Sequence, residues 1–174
     1  NFCVCRCGDG ERKIMKFMPY SPRDSEAVLC MLQHHVDYTP EFDSEENNRA
    51  NIEFWQDVMA DKDAIDLCYL LKEEKGDVLG ILIAKQYTIR CASPCWYISA
   101  LWVKEDVRSD KIAKYMVESF THLLGEKAEI CANVMPGAEK AKIFWIKNGF
   151  TLSPARSIFT NVNEQRLIAY SKSA

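Results

Sequence analysis

The stretch that follows Val107 combines charged side chains with the start of an apolar, helix-like pattern. Apolar residues recur at helical spacing from Ile112 to Leu124, and Gly125 provides a stop, which predicts a helix over 108–125. The first amides of a helix have no partner within it and lie at the positive end of its dipole. The start of this helix therefore suits a diphosphate group. The alternative is an ordinary surface helix that begins among scattered charges.

Apolar periodicity along the 174-residue chain predicts one α/β domain. Hydrophobic residues make up 48% and charged residues 27%, which is the composition of a globular protein with one buried core. The helices interrupt the strands without alternating strictly with them. We therefore expect a mixed, mostly antiparallel sheet of about six to seven strands with helices on both faces. The predicted strands are 13–18, 64–73, 77–90, 96–103, 128–134, 150–152 and 157–170, and the predicted helices are 21–36, 45–61, 108–125 and 138–147.

The N-terminal residues are rich in cysteine and lack periodicity. We predict that residues 1–12 form an arm that need not be ordered, followed by a single domain over 13–174. The spacing Cys3-x-Cys5-x-Cys7 is too tight for the usual zinc clamp, and no partner pair follows at zinc-finger distance, so no metal site is predicted. Eight cysteines in so long and apolar a chain do not indicate a disulfide framework, which favours a reducing, cytoplasmic setting.

The overall charge and the longest apolar run limit the classes of partner. A formal net charge of -3 argues against a protein built to bind nucleic acid, because such a protein needs a basic face. The longest apolar run, Val78–Ala84, has the length of a strand and is too short to cross a bilayer. We therefore expect neither nucleic acid nor a membrane as partner.

Three segments, in this order, resemble signatures of the GNAT superfamily of N-acetyltransferases. The first, Gly76-Asp-Val-Leu-Gly-Ile-Leu-Ile, is similar to the hairpin of the family's second and third strands. The second, Arg108-Ser-Asp-Lys-Ile-Ala, follows a strand and resembles the Arg/Gln-x-x-Gly-x-Gly/Ala loop that opens a helix. The third, Ala141-Lys-Ile-Phe-Trp-Ile-Lys-Asn-Gly-Phe, resembles Ala-x-x-Phe-Tyr-x-Lys-x-Gly-Phe. The similarity covers about residues 13–154 and implies the acyl-CoA N-acyltransferase fold.

The resemblance also implies a coenzyme and the groups that hold it. Acetyl-CoA is the expected co-substrate, with its diphosphate on the amides at the helix start and its acyl carbonyl and pantetheine arm along the preceding strand. Asn133 stands in for the family's asparagine, whose place is taken by Ala138. The expected coenzyme-binding residues are Leu101, Trp102, Val103, Arg108, Ser109, Asp110, Lys111, Ile112, Ala113, Lys114 and Asn133.

The expected catalytic residues come from the same comparison, and two positions depart from the family pattern. Transfer to an amine needs a proton acceptor. The resemblance places Tyr97 at that position, where a tyrosine is a poor base, and Ser99 on the same side of the strand is suited to hold a water. Trp145 stands where the family has a tyrosine that protonates the thiolate, and Tyr170 is the alternative donor. Lys111 stands where the family has a glycine, which leaves the backbone open to phosphate.

An acidic stretch falls in the segment that shapes the acceptor site in this family. Its carboxylates Glu41, Asp43 and Glu45 would attract a cationic amine, although a solvated acidic loop explains them equally well. We therefore expect transfer of an acetyl group from acetyl-CoA to a primary amine, small or lysine-like, by direct attack. The alternative is a catalytically inactive binding module of the same fold, with or without CoA. A homodimer is compatible with either.

Overall fold

The structure is a computed structural model that describes residues 2–6, 12–38, 53, 68–87, 95–125, 128–134, 138–152, 158–159 and 166–173. The chain forms two compact units: unit 1 comprises residues 1–83 and 100–119, and unit 2 comprises residues 84–99 and 120–174. The predicted helix over 45–61 lies outside the described residues, apart from Glu53, which is helical.

Unit 1 is built on antiparallel strands that pair in chain order. Each of the first three strands pairs with the next, and Leu70 lies opposite Ile81 in the third pairing. The turn of the third hairpin contains Gly76 at a φ of 100°, a conformation that favours glycine. These strands are β1 (Phe2–Arg6), β2 (Arg12–Pro19), β3 (Cys68–Glu73) and β4 (Val78–Tyr87), of which the last continues into unit 2.

Helix α1 (Ser25–Tyr38) buries its apolar side against one face of these strands. A 3₁₀ turn, η1 (Pro22–Asp24), precedes it, and Asp24 Oδ1 lies 2.6 Å from Lys72 Nζ on β3, which ties the helix start to the sheet. The buried cluster that joins helix and sheet contains Tyr20, Val28, Met31, Leu32, Cys68, Leu70, Val78, Ile81, Ile83, Ala100 and Trp102.

Helix α2 (Asp110–Leu124) covers the opposite face of the strands in unit 1. A Cβ atom added to Gly80 would lie 2.9 Å from the Met116 sulfur, so the helix approaches the strand closely at this glycine. Because neighbouring side chains on a strand point to opposite faces, Gly80 and Ile81 face α2 and α1 respectively. The predicted arrangement of helices on both faces is thereby confirmed.

Strand β5 (Cys95–Val103) runs from unit 2 into unit 1 and is followed by a 3₁₀ turn, η2 (Glu105–Val107). Within unit 2, β5 pairs in parallel with β6, from Cys95 opposite Glu129 to Ile98 opposite Ala132. Strand β9 pairs antiparallel with β6 and with the two-residue strands β7 and β8. The remaining elements are β6 (Glu129–Val134), α3 (Glu139–Lys147), β7 (Thr151–Leu152), β8 (Ile158–Phe159) and β9 (Arg166–Ser173).

The described strands are hydrogen-bonded in the order β1-β2-β3-β4-β5-β6-β9-β7, with β8 also on β9. The predicted class, a mixed and mostly antiparallel sheet with helices, is confirmed. The described residues contain nine strands, two more than predicted, because β1 adds a strand and the predicted strand 157–170 is divided into β8 and β9. The domain boundaries stay a prediction, and residues 1–12 include β1. Among the residues that the structure describes, no helix is both long and apolar enough to span a bilayer.

Candidate functional site

The start of α2 presents three consecutive backbone donors. Ser109 is the N-cap, because its Oγ accepts a hydrogen bond of 3.3 Å from the Ile112 N–H, and its carbonyl accepts bonds of 3.1 Å from Ile112 and Ala113. Within the described part of the chain, the N–H groups of Ser109, Asp110 and Lys111 donate no hydrogen bond. All three residues are exposed. These donors lie at the positive end of a 15-residue helix and are suited to bind an anion.

The end of β5 presents backbone groups in two opposite directions. The Lys104 N–H donates a 2.9 Å bond to the Leu79 carbonyl of β4, and the Trp102 carbonyl lies 3.0 Å from a Cβ built on Gly80. Backbone polar groups of alternate residues point to the same edge of a strand. The Trp102 backbone therefore faces β4, and the N–H and C=O groups of Leu101 and Val103 face away from it.

The parallel pairing of β5 with β6 ends before β5 does. Within unit 2 the last pair is Ile98 opposite Ala132, whereas β5 remains extended to Val103. The residues beyond Ile98 thus continue as strand past the last paired position of the parallel ladder.

Arg108 connects the strand end to the helix start. Its Nε donates a 2.9 Å hydrogen bond to the Val103 carbonyl, and its guanidinium carbon lies 3.9 Å from the centre of the Trp102 ring. The geometry combines a charge-assisted hydrogen bond with a cation–π contact. The side chain predicted to lie beside a diphosphate is therefore turned back onto β5 and is half-buried there.

The remaining charges around the helix start are exposed and of both signs. Lys114 Nζ lies 3.5 Å from Glu118 Oε1, with side chains 54% and 60% exposed, so solvent screening makes this pair weak. Lys111 is exposed one residue into the helix, next to the carboxylate of Asp110. Asp110 interacts favourably with the helix dipole but would repel a bound phosphate. The backbone donors, more than the net side-chain charge, make this site suitable for an anion.

The predicted catalytic residues lie on different elements of unit 2. Tyr97 and Ser99 are half-buried on β5 at alternate positions, and both make contacts with other residues. Trp145 on α3 is only 6% exposed, and its ring packs edge-on against Phe150 with centroids 4.7 Å apart. This packing explains the presence of a tryptophan at position 145 without a catalytic role. Tyr170 lies on β9 opposite Ala132 of β6.

The other predicted site residues are located as follows. Asn133 lies on β6 opposite Ala169, and Ala138 is the half-buried N-cap of α3. Glu41, Asp43 and Glu45 lie outside the described residues. In the described ranges, no three His, Cys, Asp or Glu side chains are grouped so as to hold a metal ion.

Three titratable groups away from the helix start are perturbed by their surroundings. Burial, followed by the nearby Asp24 carboxylate, raises the pKa of the Cys68 thiol to about 12. Burial likewise raises the pKa of Tyr20 and lowers that of Lys85. A neutral, buried thiol at Cys68 is a core group and not a nucleophile.

Sequence reasoning missed the capping role of Ser109 and the direction of the Arg108 side chain. The first was detectable, because a serine immediately before the first helical residue is a common N-cap signal. No sequence signal indicates the second, which depends on the position of the Trp102 ring in the folded chain.

The fold and the helix start together define a class of protein: an α/β fold in which a strand leads through a short turn into a helix whose first amides are suited to bind an anion. Residues 29–150, more than half of the chain, match the model of the acetyltransferase (GNAT) family. The chain therefore belongs to the GNAT family.

Solved structures resemble the chain over almost its full length at low sequence identity. Naa50 of Arabidopsis thaliana, in complex with the bisubstrate analogue CoA-Ac-MVNAL, is 14% identical with a TM-score of 0.61, covering 92% of this chain and 99% of that one. A GNAT-family acetyltransferase of Listeria monocytogenes is 13% identical with a TM-score of 0.66, covering 99% and 100%. A chain of the NatC complex bound to Gag peptide and CoA is 17% identical with a TM-score of 0.64, covering 92% and 98%. No curated protein sequence matches the chain.

Proposed function

We propose that the protein transfers an acetyl group from acetyl-CoA to a primary amine. The observation that carries the proposal is the row of three N–H groups, at Ser109, Asp110 and Lys111, that donate no hydrogen bond within the described residues. They follow the short turn η2 after β5, whose last residues direct backbone groups away from β4. A molecule with a diphosphate at one end and a thioester at the other fits that combination. Family membership supports acetyl-CoA as this molecule.

The acyl end of the coenzyme would lie along the last residues of β5. Of the three strand residues predicted to bind it, Leu101 and Val103 have backbone groups directed away from β4, so their N–H groups are the proposed donors. An N–H aimed at the thioester oxygen stabilises the negative charge that develops during attack. The thioester C–S bond breaks and an amide bond forms, while the amine loses a proton and the departing thiolate gains one.

The two proton transfers in the proposed mechanism need a group that accepts the amine proton and a group that protonates the thiolate. Ser99, with Tyr97 beside it, is the proposed holder of a water that accepts the amine proton. Trp145 is no useful acid, because its indole only donates a hydrogen bond, so the thiolate takes its proton from Tyr170 or from solvent.

The acceptor is proposed to be a primary amine on a small molecule or on a peptide. Naa50 is described with an analogue that joins CoA to the peptide MVNAL, and NatC with a peptide and CoA. The acidic residues Glu41, Asp43 and Glu45 would favour a cationic acceptor.

A catalytically silent relative is the second candidate, and specific observations favour it. Trp145 occupies the position of the family's acid and is committed to aromatic packing with Phe144 and Phe150. Asp110 adds a carboxylate, and Lys111 a side chain, at the place where a phosphate would approach the backbone. Such a protein would bind the coenzyme or a partner without turnover.

Calorimetric titration with acetyl-CoA, followed by a thiol-release assay on a panel of primary amines, tests the proposal. Saturable binding with release of CoA in the presence of an amine is the expected result. Binding without turnover on any amine would favour the silent relative. Absence of binding at millimolar acetyl-CoA would refute the transferase proposal. Lys147→Ala, which changes an exposed lysine at the end of α3, is the matched control for charge changes at the helix start.

A further inference from the structure

The Arg108 side chain joins two parts of the site that the chain itself separates by a turn. Val103 ends β5, and Arg108 lies just before the N-cap of α2, with η2 between them. The hydrogen bond from Arg108 Nε to the Val103 carbonyl spans this turn, and the Trp102 ring supports the guanidinium from one side. The side chain therefore closes a ring that contains the whole turn.

Among the described residues, the backbone hydrogen bonds at the turn run within the turn and from Lys104 to β4. Val107 donates to the Lys104 carbonyl and Arg108 to the Glu105 carbonyl, each at 3.2 Å, and Lys104 donates to Leu79 at 2.9 Å. None of these bonds runs from the helix start back to the strand end. Among the described residues, the Arg108 side chain supplies that link.

We infer that Arg108 is a positioning residue that fixes the spacing between the end of β5 and the N–H groups of Ser109, Asp110 and Lys111. The inference rests on the proposed function, because the spacing matters only if one ligand must meet both groups. A site held in its binding geometry beforehand loses less conformational entropy when the ligand arrives. In this role the guanidinium is not a phosphate ligand, although its place in the loop motif suggests one.

Arginine and lysine differ in the property that this role requires. Arginine stacks its planar group on an aromatic ring and donates from Nε at the same time, whereas lysine carries only a flexible point charge. Arg108→Lys therefore keeps the charge and loses the link, and Arg108→Gln loses both. If Arg108 positions the turn, both variants lose affinity for CoA. If it binds phosphate, the lysine variant retains most of the affinity.

Amide hydrogen exchange of the ligand-free protein tests the link without any coenzyme. We expect both variants to exchange about tenfold faster at the hydrogen-bonded amides of Lys104, Val107, Arg108 and Ile112, because the turn opens more often. Exchange in β6 should stay at the wild-type rate, as it should everywhere in Lys147→Ala. Unchanged exchange at the turn, or an equal rise in β6, would overturn the inference.

Calorimetry with CoA at several salt concentrations completes the test. Arg108→Lys should bind about tenfold more weakly than wild type with an unchanged dependence on salt, because its charge is kept and no phosphate contact is lost, and Arg108→Gln should bind at least as weakly. Wild-type CoA affinity in Arg108→Lys together with a loss of CoA affinity in Arg108→Gln would show that the side chain at position 108 binds phosphate through its charge. That result would overturn the inference. A wild-type protein that binds no CoA would refute the proposed function, while the exchange data would still decide whether Arg108 holds the turn.

Discussion

Replacing Asp110 by proline removes a single backbone donor from the proposed coenzyme site. Asp110 is the first residue of α2, and its N–H donates no bond within the described residues. Proline is well tolerated at the first helical position, because the missing N–H has no helical partner there and the fixed φ suits the helix. An N-cap residue such as Ser109 characteristically has the non-helical backbone that a residue before proline requires. The helix should therefore form as before.

The effect of the Asp110 carboxylate on CoA binding must be distinguished from the effect of its backbone N–H, and Asp110→Ala is the matched control for this purpose. Asp110→Ala removes the carboxylate and keeps the N–H, so CoA binding should strengthen by about twofold to fivefold through loss of repulsion. A hydrogen bond to a charged group contributes about 1.5 to 3 kcal/mol. Asp110→Pro should therefore bind CoA about 10- to 150-fold more weakly than Asp110→Ala.

Isothermal calorimetry with CoA measures the two affinities, and urea denaturation confirms that both variants are folded. Equal affinity of Asp110→Pro and Asp110→Ala for CoA would refute the reasoning, because it would mean that this N–H does not meet the diphosphate. A large loss of stability in Asp110→Pro alone would contradict the assignment of Asp110 to the first helical position.

Three further changes test separate parts of the structure. Lys111→Ala should weaken CoA binding about threefold through loss of the lysine charge. Lys111→Gly should bind CoA more tightly than Lys111→Ala in calorimetry, because glycine lacks the Cβ that points toward the phosphate. Equal CoA affinities of these two variants would show that this Cβ is no obstacle. Gly80→Ala should lower the free energy of unfolding in urea by about 1 to 3 kcal/mol, because the added Cβ would collide with the Met116 side chain. An unchanged urea midpoint would contradict the close packing of α2 on β4. At pH 8, peptide mapping after alkylation should find the exposed Cys30 modified and Cys68 protected, since Cys68 stays a thiol up to a pKa of about 12; rapid modification of native Cys68 would contradict its burial.

The elements around the proposed site were predictable because their signals are local. Apolar spacing and the stop at Gly125, which has a φ of 79°, located α2 to within two residues of its observed start. Gly76 likewise marked the turn between β3 and β4. Both signals depend on a few neighbouring residues, so no knowledge of the folded chain is needed.

Other features were not predictable, because they depend on contacts between distant residues. Strand β1 pairs with β2, and its short Cys-rich sequence gives a weak signal without that partner. The direction of Arg108 depends on the Trp102 ring, whose own position is fixed by packing within the buried cluster of unit 1. The family motif describes where a charge occurs in the chain but not which group it contacts.

The amide resonances of Ser109, Asp110 and Lys111 test the central claim most directly, through a titration of ¹⁵N-labelled protein with acetyl-CoA. These three signals should shift progressively and saturate together, because their N–H groups exchange water for phosphate oxygens. Saturable binding that leaves all three unshifted would place the coenzyme elsewhere, and a spectrum that does not change at millimolar acetyl-CoA would contradict the account altogether.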